Sequence, residues 1–406
     1  MSRVVSAASV MALLFIAASA QAEGDAPKPD RYEVSALPVL FGDTDRGVIL
    51  GVYGVVVRFQ RGYSPYRWRL RVSSRLSVVR RADDTLSLPF HDHVIRLDLP
   101  GFLHPRLRVD AEVAFRRYAA TGYYGVGNAS PDGRANTIPD FTQYIRTHPG
   151  ALLKGRWRFT RRLSLLLGAA FTYNWIGVTS GSKLAEDLNA RDARLDDLLR
   201  GTSDHASLIL TLGWLWDTRD QEFAPTRGMF HEISWRLSPG VEFLFGGLNV
   251  TSRFFYPIFG ERLVVAGRLV LDMLFGDAPV YELSRLGGLL PQDGVGGSRG
   301  VRGVPLQRYH GKIKVLGNLE LRSKLLPFTL LSQRFNLGAL AFVDLGRIWS
   351  DYHAERRFDG TGIGLEIGVG GGIRLQWGET FILRADVAWS PDADPVGAYF
   401  GFSHIF

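Results

Sequence analysis

A two-residue alternation of apolar and polar side chains recurs along the C-terminal half of this chain. Leu319 and Leu321 alternate with Asn318, Glu320 and Arg322, and Val343 and Leu345 flank Asp344. Ile373, Leu375 and Trp377 alternate with Arg374 and Gln376, and Leu383, Ala385 and Val387 with Arg384 and Asp386. Successive side chains of a strand point to opposite faces, so each stretch reads as a strand with one greasy and one polar face. A soluble sandwich turns the greasy face inward and a membrane barrel turns it outward. The alternation by itself does not choose between them.

Other features favour the barrel. No apolar run reaches the roughly 20 residues of a spanning helix; the nearest, Leu163 to Phe171, is far too short. The mean hydropathy of +0.01 argues against helical spans and is what barrel strands, averaged over lipid and lumen faces, produce. Glycine, at 46 residues, and aromatics, at 12%, are both abundant. The N-terminus reads as a secretory signal peptide: basic Met1-Ser2-Arg3, an apolar core from Val10 to Ala18, and a small-residue cleavage site at Ala20-Gln21-Ala22. Cleavage there makes Glu23 the first mature residue. The absence of cysteine excludes disulfides and thiolate metal sites. At the other end, Gly401, Phe402, His404 and Phe406 resemble the terminal aromatic strand by which barrel-assembly machinery selects its clients. His404 stands where an aromatic or large apolar residue is usual.

Sixteen strands can be placed, near 33–41, 47–59, 66–80, 87–99, 106–118, 141–159, 163–176, 206–217, 228–238, 247–257, 261–275, 312–323, 336–349, 361–377, 379–390 and 397–406. An even count suits a single-chain barrel with both ends in the periplasm. On that count the long connections, 119–140, 177–205 and 276–311, fall outside, and tight ones such as Thr160-Arg161-Arg162 fall inside the periplasm. The expected organisation is a signal peptide over 1–22, a short periplasmic segment over 23–32 and one outer-membrane barrel over 33–406. The net charge of +8 suits contact with the phosphates of lipopolysaccharide and other outer-membrane lipids, or an anion-favouring pore.

Five motifs, in order, resemble the bacterial surface antigen family, the superfamily of BamA and TamA. They are Tyr124-Gly125-Val126-Gly127-Asn128; Asp217-Thr218-Arg219-Asp220 with Pro225 and Gly228; Val301-Arg302-Gly303; Phe342-Val343-Asp344-Leu345-Gly346; and Gly370-Gly371-Gly372-Ile373-Arg374. The resemblance implies an all-β, transmembrane antiparallel barrel of sixteen strands with a long extracellular loop folded into its lumen. It also implies insertion or translocation of proteins at the outer membrane, unfolded outer-membrane proteins as clients, and the chain's own assembly by the barrel-assembly machinery. It implies no cofactor and no nucleic-acid partner. Two departures stand out. Val304 occupies a position where the family's loop motif continues with an aromatic, and there is no room before the first strand for the periplasmic POTRA domains of its best-known members.

The loop motif suggests a site. Arg302 lies in a flexible glycine-rich segment, Gly294 to Gly303, while alternation turns Glu320 and Asp344 into the lumen. A guanidinium between two carboxylates in a partly desolvated cavity makes strong, directional hydrogen bonds. Arg302 and Gly303 are therefore expected to anchor the loop to Glu320 and Asp344. The family motifs add Asp217, Arg219, Asp220, Gly346 and Arg374 as candidates. Arg322, Arg374, Arg384 and Asp386 also project inward, as a polar network.

Enzymatic readings fare poorly. Alternation puts His91 and His93 on one face and Asp92 on the other, so they do not converge on a substrate. His231-Glu232 lacks the second histidine of a zinc-protease helix. The leading expectation is an assembly-factor barrel whose seam, between Glu33–Phe41 and Gly397–Phe406, admits client strands. The alternatives are a passive pore or partner-specific conduit, and an adhesion barrel using its long loops.

Overall fold

The computed structural model describes residues 30–43, 47–63, 65–80, 86–131, 140–240, 243–330, 333–377, 381–391 and 396–406. The expected signal peptide and residues 23–29 lie outside the described residues.

Sixteen staves form one antiparallel sheet among the described residues, each paired to the next in sequence. They are β1 (Arg31–Asp43), β2 (Gly47–Phe59), β3 (Trp68–Arg80), β4 (Phe90–His104), β5 (Leu107–Gly122), β6 (Gln143–Thr147 and Gly150–Arg158), β7 (Leu163–Gly177) and β8 (His205–Asp217). There follow β9 (Gly228–Pro239), β10 (Leu244–Phe259), β11 (Leu263–Gly276), β12 (Ile313–Leu330), β13 (Gln333–Trp349), β14 (Glu366–Trp377), β15 (Phe381–Trp389) and β16 (Gly397–Phe402). A two-residue ribbon, Leu86–Ser87, extends the β3 hairpin. Pairing of β1 with β16 closes the barrel. The sixth stave is interrupted at His148-Pro149, where proline cannot donate to the ladder. The chain is held across the break by His148 N to the Arg116 carbonyl (2.7 Å) and Tyr173 N to the Pro149 carbonyl (3.1 Å).

Which face is lipid and which is lumen follows from side-chain exposure. On β8, Leu208, Leu210, Leu212, Trp214 and Trp216 are exposed, while His205, Ser207 and Leu215 are buried. Apolar outside and polar inside is the reverse of a soluble sandwich and is what a bilayer selects. Trp214 and Trp216 lie on one face at the periplasmic end, with the Phe159 ring tilted against Trp214 at 5.7 Å; Tyr173 and Trp175 pack 5.0 Å apart near the outer end. Rings at these depths form the two interfacial girdles.

The outer mouth is domed over. Helices α1 (Lys183–Asn189) and α2 (Ala193–Leu198) are capped by Ser182 and Asp192, whose side chains accept from Ala185 N and from Arg194 N and Leu195 N. Leu184, Leu195 and Leu198 pack on Tyr123, Val126, Tyr144, Val280 and Phe358, drawing four loops into one apolar cluster. Val280 belongs to α3 (Val280–Ser284) in the loop 277–312, and Phe358 to α4 (Arg356–Asp359).

The C-terminal segment corrects the sequence expectation. Gly401, Phe402, His404 and Phe406 do not share one terminal strand: β16 stops at Phe402, which alone of the three rings points outward, 5.4 Å from Phe381. Ser403 adopts φ 64°, and its N–H bonds the Ile382 carbonyl at 2.8 Å. That turn sends the last residues into the lumen. Phe406 packs on Phe255, with the guanidiniums of Arg322 and Arg268 at 4.7 and 5.2 Å from its ring. The apolar-polar rhythm of these four residues mimics a strand, but two cationic faces hold the ring more favourably inside.

Candidate functional site

The loop 277–312 leaves β11 with Gly276 at positive φ and descends into the barrel. Its deepest part is a glycine-rich turn. Gly297 and Gly303 have φ of 81° and 98°, and a Cβ on Gly300 would lie 1.8 Å from the Val295 carbonyl oxygen. Only glycine fits so tight a fold.

This turn aims Arg302 at the wall. Its side chain is fully buried, with Nε 2.7 Å from Asp344 Oδ2, Nη2 3.0 Å from Asp344 Oδ1 and Nη1 2.8 Å from Glu320 Oε1. The Arg302 backbone N–H also donates to Asp344, at 3.1 Å. A third carboxylate, Asp386, lies 3.5 Å from Nη1, and the guanidinium sits 3.3 Å from the centre of the Phe342 ring. Asp344 and Phe342 share the inward parity of β13, so one strand supplies both the carboxylate and the ring beneath it. Gly303 N donates to the Tyr399 hydroxyl at 2.9 Å, linking the loop to β16. Asn318 bridges Asp344 (2.7 Å) and the Gly300 carbonyl (2.9 Å).

Burying an ion costs several kcal/mol, about that much for each group, unless partners and hydrogen bonds offset it. Here the offset is collective. Arg322 pairs with Glu320 at 2.7 Å, Arg374 with Asp386 at 2.6 Å, and Arg384 lies 3.5 Å from Asp386 while donating to the Ser298 carbonyl at 2.8 Å. Four guanidiniums thus meet three carboxylates, a cluster close enough to neutral to be closed off from water. The desolvation of Arg302 is outweighed by its carboxylates, and its guanidinium is held more firmly protonated than usual, first through Asp344.

A second cluster nails the upper part of the loop. Arg236 Nη2 and Lys314 Nζ lie 2.8 and 3.3 Å from Asp272 Oδ1, and Arg236 reaches Glu282 of α3 at 3.6 Å. Lys314 also donates to the Glu282 carbonyl (3.0 Å), and Asp272 accepts from Gly287 N (2.8 Å). Charge alternation in β11 and β12 gives the inward parity of Asp272 and Lys314. Their partnership depends on cross-strand register, and this cluster was absent from the sequence-based candidates.

Residues 84–406 match the Omp85 superfamily domain. The chain belongs to the Omp85 superfamily. That membership places it in the bacterial outer membrane. Among solved structures it is similar to BamA from Haemophilus ducreyi lacking POTRA domains 1-3, with 14% identity, TM-score 0.56, 93% of this chain and 70% of that chain covered. It is also similar to CdiB from Escherichia coli, with 15% identity and TM-score 0.57, covering 94% of this chain and 63% of that one. At these identities the likeness is one of fold. No curated protein matches the sequence.

The remaining candidates of this Omp85 barrel occupy distinct places. Asp217, Arg219 and Asp220 form the periplasmic turn between β8 and β9: Arg219 clasps Asp217 at 2.7 Å, and Asp220 accepts from Thr226 N (3.0 Å) and its hydroxyl (2.5 Å). Gly228, at φ 99°, closes that turn against the Thr218 carbonyl. Gly346 backs onto Val295 and Val301 of the loop, where a Cβ would approach to 2.6 and 2.7 Å. Arg374 belongs to the carboxylate cluster above. Val304, which stands where the family's motif continues with an aromatic, is fully buried with Val295, Val301, Tyr309 and Ile348. The neighbouring Tyr309 supplies an aromatic to the cluster. Tyr124 to Asn128 seats the loop's outgoing end: Gly127 N bonds the His310 carbonyl (2.7 Å), and Asn128 reaches Glu366 (2.8 Å) and Ile348 N (3.2 Å).

His91 and His93 face outward with rings 6.0 Å apart, while Asp92 is buried between Arg75 and Arg116. The three do not converge.

Proposed function

We propose that this Omp85 barrel takes part in inserting or translocating proteins at the outer membrane, through its β1–β16 seam. The observation that carries the reading is the inequality of β1's two edges. Along one edge β1 pairs with β2 over its whole length, Arg31 with Phe59 through Asp43 with Gly47. Along the other, the register among the described residues is Asp43 with Tyr399. This corrects the sequence expectation of a seam centred on Glu33–Phe41. Backbone donors and acceptors left over on such an edge are a template for an incoming strand.

The loop fits this role as a fixed internal buttress. Arg302 and Gly303 join Asp344, Glu320 and Asp386 to Tyr399, so the loop props β16 from within. Unfolded outer-membrane proteins would be the clients and the surrounding lipid, including lipopolysaccharide, the medium into which they pass. Omp85 relatives provide the precedent for a role without catalysis, and no catalytic step is proposed. A passive conduit is the second reading, favoured by the half-exposed arginines along β3–β5.

The test is depletion in the native bacterium with quantification of every other outer-membrane protein. A selective loss of barrel proteins supports the assembly reading and names its clients; an unchanged outer-membrane proteome sinks it. Cross-linking refines the answer. In the antiparallel register Gly42 stands opposite Phe400, so a disulfide in the double variant Gly42→Cys/Phe400→Cys locks the seam in a chain with no native cysteine. Locked protein should lose activity and regain it on reduction. Full activity while locked rules out passage through the seam.

A further inference from the structure

Water access differs between two walls of this barrel. The carboxylate cluster around Arg302, close to neutral, has side chains no more than 8% exposed. The wall over β3–β6 is different. Arg69, Arg75, Arg96, Arg108, Arg116 and Arg156 retain 20–32% side-chain exposure. Strand parity turns them inward, because Val72, Ile95, Val113 and Leu153 hold the lipid face between them. Their exposure is therefore to water in the lumen.

Five carboxylates answer them, and the four on these strands are shared. Asp92 lies between Arg75 and Arg116, Asp98 between Arg69 and Arg108, and Asp110 between Arg96 and Arg156; Glu112 takes a second nitrogen of Arg116 at 2.6 Å and lies 3.9 Å from Arg96, and Glu222, from the β8–β9 turn, reaches Arg108 at 3.3 Å. Arg71, inward on β3, has no carboxylate at ion-pair distance among the described residues. Register sharpens the excess: Arg71 stands directly opposite Arg96, and Arg108 directly opposite Arg156. Like charges so placed repel. A bound anion between the two forks would turn that repulsion into attraction.

We propose that the luminal wall of β3–β6 is an anion-binding track for water-soluble phosphate-type oxyanions, with the Arg71–Arg96 and Arg108–Arg156 pairs as its two clasps. Guanidinium forks match the geometry of phosphate oxygens and stay charged at any physiological pH. Low-dielectric walls around a narrow aqueous cleft focus the field of the excess charge. Arg96 faces Glu112, four residues outward of Arg108 on β5, so the clasps lie about 13 Å apart along the strand direction. A chain of phosphates can engage both at once. The strands themselves separate this wall from the bilayer, so the ligand is a soluble oxyanion and not a headgroup.

The test uses the folded full-length protein in detergent, titrated with inorganic tripolyphosphate by calorimetry. Saturable binding is expected that weakens as salt is raised, and Arg71→Gln should raise the half-saturating concentration about tenfold. Arg161→Gln removes the same charge from an exposed periplasmic turn and should change nothing. Arg156→Gln, whose one carboxylate contact is 4.0 Å long, is the second variant if Arg71→Gln loses the heat-modifiable electrophoretic mobility of a folded barrel. Absence of saturable binding overturns the proposal, and so does equal weakening in Arg161→Gln. Client assembly does not enter this measurement, so its failure leaves the seam reading untouched, and the depletion experiment leaves this one untouched.

Discussion

At the scale of the residue, Arg302 bears the largest share of the loop's attachment. Arg302→Ala would leave Asp344 and Glu320 buried without their principal partner, a loss of about 3–5 kcal/mol for a broken buried pair. The expected result is a lower unfolding temperature, read as loss of heat-modifiable mobility, together with protease cleavage between Gly294 and Gly303. Arg302→Lys keeps the charge but not the fork and should restore protection only in part. A subtler probe is Gly368, where a Cβ would stand 2.1 Å from the Arg302 carbonyl oxygen. Gly368→Ala should expose the same loop to protease while the barrel still migrates as folded; continued protection would mean that the loop tolerates displacement. Strand parity made Glu320 and Asp344 legible as luminal residues. It was equally able to reveal Phe342, two positions from Asp344, as the ring under the guanidinium. Asp386 and Tyr399 were harder to assign, since they lie 84 and 96 positions from their contacts on the loop and only closure of the sheet brings them near.

At the scale of the element, the dome rests on exposed ion pairs as well as on its apolar cluster. Arg357 of α4 clasps Asp192, the N-cap of α2, while Arg194 of α2 reaches Glu355 at 2.6 Å and Asp351 at 3.1 Å. The Arg357 hydrogen bond holds the Asp192 carboxyl below the usual carboxylate range, and Arg194 does the same for Glu355. A depressed folded value means that this contribution is complete above the ordinary carboxylate range and fades as pH falls through the lowered values. Solvent screening keeps each pair weak. Acid below the carboxylate range, or molar salt at neutral pH, should therefore lengthen the distance between spin labels placed on α1 and on the loop after β13. Labels that stay fixed under both conditions would assign the dome's cohesion to Leu184, Leu195, Leu198 and Phe358 alone. The strands were read from sequence because period two is a local signal, but their ends were not: the strand expected over 312–323 runs on to Leu330, the one over 87–99 to His104, and the one over 361–377 begins at Glu366. The dome was not read: its helices are short, and its contacts join loops far apart in the chain.

At the scale of the whole molecule, the barrel encloses two interiors. Along β11–β15 it is a sealed mosaic of charges tied together by ion pairs and hydrogen bonds, and along β3–β6 it is wet and basic. The net charge of +8 was visible from composition, but the placing of like charges on this wall was settled by register, which sets Arg71 against Arg96 and spreads five carboxylates among their neighbours. Tenfold salt gradients across planar bilayers should give a reversal potential of the sign for anion preference in any open state, and cation preference would contradict the basic wall. The alternation of Phe402, His404 and Phe406 misled because a strand and an inward hook share the same rhythm until one residue, Ser403, takes a left-handed turn.

That hook commits the final residues to the interior. In the folded barrel the ring of Phe406 lies against Phe255 and the guanidiniums of Arg268 and Arg322. A partner that reads these residues as an open strand would therefore have to meet them before the barrel closes, because folding itself takes them out of reach.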